Sequence, residues 1–189
     1  MKKLLFTLLV LFSSQHMLTY AQSENSDNKN IEQSISYSWV YAMNLLDFNV
    51  PNCNEFAISY TLDYNLPNTS LFFEIGASLG YSYHEMNDAK VHAPYIGVPL
   101  GIGFHINTGN LRVSPFFRLT PFVTKYLGKN DYCDINDTDF GGAAPEIGAT
   151  FNLRNITLTA SIPMFWDTDW MDYSRCGQTG LRIGVGFPF

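Results

Sequence analysis

The side chains best equipped for chemistry gather in a few short stretches. Asp131, Asp134, Asp137 and Asp139 put four carboxylates into nine residues, and Asp167, Asp169 and Asp172 add three more. Hard cations such as calcium take oxygen ligands of this kind. The first stretch lacks the glycine and closing glutamate of an EF-hand loop, so a calcium site there competes with a solvated acidic loop. His84 and His92 flank another stretch that holds Glu85 and Asp88. No spacing marks a nucleophile beside a base, and the two histidines read as rim residues with no catalytic set assigned. Cys53, Cys133 and Cys176 leave one thiol over if two pair. A metal site is the poorer reading, since Cys-x-x-Cys and clustered histidines are both missing, and no cofactor is expected.

What must position these groups is an unusual chain. Of 189 residues, 46% are hydrophobic and 15% aromatic, but only 15% are Asp, Glu, Lys or Arg, against about 25% in a soluble domain. Eleven basic residues against seventeen acidic ones exclude a nucleic-acid partner, which needs a basic face against phosphate. Lys2 and Lys3, the apolar run Leu4 to Phe12, and Thr19-Tyr20-Ala21 have the pattern of a secretory signal, expected to span 1–21. Residues 22–33 are polar and acidic and are expected to form a disordered arm. One domain, 34–189, remains.

That domain alternates with a period of two rather than 3.6. Even the charge-free stretch Val91 to Leu111 carries too many prolines and glycines for a helix. As a strand it is orderly: Ile96, Val98, Leu100, Ile102, Phe104 and Ile106 face one way, and Tyr95, Gly97, Pro99, Gly101, Gly103 and His105 the other. The pattern repeats to give eight strands, many of 10 to 14 residues, long enough to cross a membrane as a tilted barrel. Their second faces are mainly Gly, Ser and Thr. A soluble, lipocalin-like barrel around an apolar ligand would show Lys and Glu outside, so the better expectation is an eight-stranded antiparallel transmembrane β-barrel.

Connections alternate in the same sense. Pro67-Asn68-Thr69, Asn107-Thr108-Gly109-Asn110 and Arg154-Asn155 are short turns; Asp47 to Glu55, His84 to Ala93, Leu127 to Phe140 and Asp167 to Gln178 are long. Small outer-membrane barrels put short turns in the periplasm and long loops outside. All three cysteines then sit on the oxidising side, where a Cys133–Cys176 bridge is weakly preferred over other pairings. The acidic loops would meet lipopolysaccharide phosphates through divalent ions. Carried inward, the alternation sends Asp63, Glu74, Arg112, Arg118, Glu146 and Arg182 into a lumen barely wide enough for its own side chains. There they must pair or meet water, which predicts an ion-paired plug; a gated narrow pore is the alternative. Trp39, Tyr41, Tyr60, Tyr64, Tyr81, Tyr83, Tyr126, Trp166 and Trp170 are expected in interfacial girdles.

Three segments carry a family resemblance: Tyr95-Ile96-Gly97-Val98-Pro99-Leu100-Gly101, Pro121-Phe122-Val123-Thr124-Lys125-Tyr126-Leu127-Gly128, and the closing Gly180-Leu181-Arg182-Ile183-Gly184-Val185-Gly186-Phe187-Pro188-Phe189. Through them the chain resembles the single-domain outer-membrane barrels common in the Bacteroidetes, related to the PorT-like barrels. A terminal Phe on an alternating strand is similar to the signal read by the barrel-assembly machinery, which makes Phe187 and Phe189 candidates for it. Pro188 departs from the usual penultimate residue. The resemblance implies location in the outer membrane. The expected protein is a monomer surrounded by outer-membrane lipid and lipopolysaccharide, not an enzyme, with a structural or surface-interaction role through its outer loops. A barrel enzyme acting on lipid A or phospholipid is the rival expectation.

Overall fold

The computed structural model describes residues 30–44, 53–86, 89–129, 134–153, 155–167 and 178–189. β1 is Ile31–Asn44, β2 Cys53–Asn65 and β3 Leu71–Met86. β4 comes in three pieces, Ala89–Gly97, Leu100–Phe104 and Ile106–Thr108. β5 is Leu111–Lys129, β6 Asp134–Leu153, β7 Ile156–Asp167 and β8 Gln178–Pro188. The first break in β4 does not shift its register: Ser78↔Gly97 and Ile75↔Leu100 lie on one ladder with β3. Pro99 has no N–H to give, yet its carbonyl accepts from the Gly76 N–H at 2.9 Å.

Each strand pairs antiparallel with its sequence neighbours, and β8 pairs with β1. The sheet therefore closes into the eight-stranded barrel expected from the alternation. From Ser38 the ladder runs through Ala57, Gly80 and Tyr95 to Thr124 one way round, and through Gly184, Thr159 and Thr150 to Ser114 the other. Both walks end on β5, ten residues apart, and that stagger is the shear that tilts the strands and sets the bore.

The barrel is inside-out relative to a soluble one. Phe56, Leu79, Val123, Ile147, Ile162 and Trp166 are each more than half exposed, and the apolar faces of all eight strands point away from the axis. A water-facing surface of that kind is an association hazard, whereas lipid accepts it. This outward orientation removes the lipocalin-like alternative, which required the same side chains to enclose a ligand.

Both chain ends described lie at the end that also carries the tight turns 67–70 and 109–110; we call it the lower end. Asn68 and Gly109 take left-handed backbone there, each with φ 61°, a conformation open to Asn and Gly. Pro188 stands opposite Ser34, and the Phe189 N–H beyond it donates to the Gln33 carbonyl at 3.0 Å. The closing strand thus completes its seam in spite of the proline.

Two boundaries differ from expectation. β1 begins at Ile31 rather than Ser34, because Glu32 and Ser34 continue the inward small and polar face of Ser36 and Ser38. At the upper end, 84–86, 89–93, 127–129 and 134–140 are strand, so much of what reads as long loop is hairpin continuing past the barrel body. The signal segment 1–21 and residues 22–29 lie outside the described residues.

Candidate functional site

The lumen is where ionisable groups converge. Arg118 lies between two glutamates: Nε and Nη2 donate to the two carboxylate oxygens of Glu74 at 2.6 and 2.7 Å, and Nη1 lies 3.6 Å from Glu146 Oε1. Its guanidinium also sits 4.5 Å above the Phe116 ring. Arg182 continues the ladder, with Nη1 donating to Glu146 Oε2 at 2.5 Å and Nη2 to Glu55 Oε1 at 3.2 Å. Ser161 donates to Glu146 from its hydroxyl, and the Tyr95 hydroxyl donates to Glu55 Oε1 at 2.9 Å. Glu55 is 0% and Glu146 1% exposed, so this pairing is what makes their charge tolerable.

A second group occupies the lower mouth. Arg112 grips both carboxylate oxygens of Glu32, and the Asn65 amide donates to the same carboxylate at 3.0 Å. His105 lies between Asn65 Oδ1 and Ser114 Oγ, 2.8 Å from each, with its ring stacked on Phe72 at 4.7 Å. A neutral imidazole serves both contacts, Nε2–H donating to Asn65 and Nδ1 accepting from Ser114.

Asp63 links the two groups. It is the register partner of both Glu32 and Glu74, and its Oδ1 is buried without a hydrogen-bond partner. It lines a luminal cavity of about 70 Å³ with Glu32, Glu74, Arg112 and Arg118, to which Ser78 also contributes a buried, unpartnered hydroxyl. A water needs roughly 10–15 Å³ of such space, so the cavity has room for the few waters that would satisfy both oxygens.

Around the top rung of the ladder and above it the bore is lined by apolar packing. Val40, Ala42, Cys53, Ala57, Tyr95, Phe122, Ala144 and Phe165 form one buried cluster. Inward rings lie over glycines on the next strand: Tyr95 over Gly80, Phe72 over Gly103 and Phe122 over Gly142 are register pairs. A Cβ added at Gly80 would fall 2.0 Å from the Tyr95 ring. The glycine thus makes the slot that lets the Tyr95 hydroxyl reach Glu55.

The structure brings together all six residues expected inward and adds two the sequence reading placed elsewhere. The sequence pattern puts Glu55 in a long loop and Glu32 in the polar arm. Parity identifies both, since Glu55 precedes Ala57, Ser59, Thr61 and Asp63 at steps of two. The inward Phe72, Phe116, Phe122 and Phe165, with Tyr95, correct the expectation of a small, polar inner face; glycines stand across from Phe72, Phe116 and Phe122, whereas Phe165 faces Gln178.

The remaining candidates fall outside the lumen ladder. Asp134, Asp137 and Asp139 lie on β6, with a register irregularity opposite Thr124 and Tyr126; their side chains, and Asp131, lie outside the described residues. So do Cys133, Cys176 and the His84 side chain. Cys53 is buried at the upper end of β2 rather than in a loop. Among the described residues no group of three or more His, Cys, Asp or Glu is placed to hold a metal. His92 faces outward on β4, its Nδ1 hydrogen-bonded to the Tyr81 hydroxyl and its ring 5.3 Å from that of Tyr83. Phe187 is outward, and Phe189 stacks on Tyr60 at 6.4 Å. Trp39, Tyr60, Tyr64, Tyr81 and Trp166 are exposed on the outer wall, with Tyr64 low and Tyr81 and Trp166 high; Trp170 and the Tyr126 side chain lie outside the described residues.

With this geometry in view, solved structures of similar shape can be compared. No family model and no curated protein matches the chain. Neisserial surface protein A superposes with a TM-score of 0.51 at 13% identity, over 84% of this chain and 97% of that one. Ail, the attachment invasion locus protein of Yersinia pestis, solved with the heparin analogue sucrose octasulfate, gives 0.51 at 20%, over 85% and 98%. The outer membrane enzyme PagL gives 0.53 at 12%, over 82% and 99%. The fold is that of the bacterial outer-membrane barrels. At these identities the likeness is one of fold, shared by surface proteins and an enzyme alike.

Proposed function

We propose that this protein is a non-conducting outer-membrane barrel that works as a structural or surface-interaction protein, through the hairpins at its upper end. The observation that carries the reading is the filled bore: an apolar layer above, a buried Arg–Glu ladder below it and a paired lower mouth. A chain built for passage would leave a continuous wet path, whereas here the arginines are spent on closing it. The acidic hairpins point to partners reached through divalent cations, among them lipopolysaccharide phosphates. Ail's complex with a polyanion is a poor guide to ligand, because this chain's upper stretches carry the same sign of charge as that ligand. We further propose that the barrel is a monomer, inserted by the barrel-assembly machinery through the strand that ends in Phe187 and Phe189, and related to the PorT-like barrels.

Planar-bilayer recording tests the plug. The wild-type protein is expected to show almost no steady single-channel conductance, and large stable openings would overturn the reading. Calcium titration of the Asp131, Asp134, Asp137 and Asp139 to Asn variant separates a dedicated ion site, which loses saturable binding, from a diffuse acidic surface, which loses only weak binding.

A further inference from the structure

The outer wall carries a feature that a plugged lumen does not require. On the outward face of β3, β4 and β5, successive cross-strand rows change character toward the upper end. The first row is apolar, with Leu79 paired to Ile96 and Ile96 to Val123. In the next, Tyr81 pairs with Pro94, and the flanking pairs His92↔Leu127 and Tyr95↔Thr124 put Lys125 across from Pro94. The third holds Tyr83, His92 and Leu127. Leu79, Pro94, Ile96, Val123 and Lys125 share one shallow groove of about 630 Å³. Lys90 is exposed one row higher, with Glu85 and Lys129 as its register partners.

Lys125 is the anomaly. A lysine on a lipid-facing wall is costly unless its ammonium reaches water or an anion, and among the described residues no carboxylate forms an ion pair with it. Below it lies an apolar floor; beside and above it lie the Tyr81 hydroxyl and His92. That order, apolar and then cationic and then hydrogen-bonding, is the order of an anionic lipid read from acyl chain to headgroup.

We infer that this groove binds a phosphate-bearing anionic lipid of the upper leaflet, its acyl chain against Leu79, Ile96 and Val123 and its phosphate on Lys125 beside Tyr81 and His92. The inference rests on the barrel's standing in a membrane. The test folds the full chain into phosphatidylcholine vesicles with and without phosphatidylglycerol, checks insertion by heat-modifiable gel mobility, and reads retained lipid by native mass spectrometry. The wild type should retain phosphatidylglycerol in preference to phosphatidylcholine. Lys125→Gln should lower that retention about fivefold, the effect of one basic side chain at a charged membrane surface, and Lys125→Arg should restore it. Val123→Trp, which fills the groove and keeps the charge, should lower it as well. Equal retention of the two lipids, an unchanged Lys125→Gln variant, or displacement of the lipid by inorganic phosphate alone would overturn the site. A chain that fails to insert would overturn the membrane reading instead.

Discussion

Around and above Glu55 the bore is filled by Val40, Ala42, Phe122 and Phe165; from Glu55 downward it holds three arginines, five carboxylates and a histidine. Both regions are buried, and in the proposed reading both block passage, but they respond to damage differently. In the upper layer, stability comes from contact area and shape, so a lost side chain leaves a hole whose cost scales with its volume. In the lower ladder, each group makes its neighbours tolerable, so a lost side chain leaves charges stranded. The contrast also divides labour. The apolar layer seals, while the ladder holds five strands, β2, β3, β5, β6 and β8, in one lateral arrangement through contacts that no backbone ladder supplies.

The largest expected effect comes from Glu146, which serves both Arg118 and Arg182. Glu146→Ala should destabilise the barrel by about 3–5 kcal/mol in urea unfolding from lipid vesicles, and should introduce measurable conductance, because strands no longer held laterally by the ladder let the apolar layer above them part. Phe122→Ala tests the other half. It should cost about 3 kcal/mol and leave conductance near zero, because the ladder beneath is intact; conductance equal to that of Glu146→Ala would erase the distinction. Gly80→Ala strikes the joint between the two, forcing the Tyr95 ring off its slot and away from Glu55. A loss of about 1–3 kcal/mol is expected from overpacking, and Tyr95→Phe in the same background should then cost little more, which a double-mutant cycle reads directly. Smallest is the lower mouth, where Arg112 and Glu32 are about a third exposed. Arg112→Gln should cost under about 1 kcal/mol, and that cost should shrink as salt is raised.

The outer wall was legible because lipid imposes one demand on every strand, and period two records it residue by residue: Phe56, Ile58, Tyr60 in β2 and Leu71, Phe73, Ile75 in β3. The inward charges were legible by the same parity where strand boundaries were clear. Glu32 and Glu55 were missed where a polar arm or the turn-like run Pro51-Asn52-Cys53-Asn54 obscured the start of a strand, although parity extends through both. The pairings themselves were not legible. Arg118 meets Glu74 rather than Asp63 through a lateral register that no single strand encodes. Inward phenylalanines were hidden because Phe also populates the outer wall, and at Phe72, Phe116 and Phe122 a glycine on the neighbouring strand tells the two uses apart.

The seam between β1 and β8 has a consequence for how the protein comes to exist. Arg182 and Glu55 are separated by 127 residues, and Arg118 and Glu74 by 44, so the ladder is joined across the whole length of the chain. Until β8 docks, β1 and β8 each present an open edge that hydrocarbon cannot satisfy, and Arg182 is absent from beside Glu146. Assembly intermediates must therefore be sheltered until the last strand is available, and a chain ending before Arg182 would lack both its final edge and the cation that ties Glu55 to Glu146. The same residues that lock the finished cylinder make a nearly finished one the species most in need of protection.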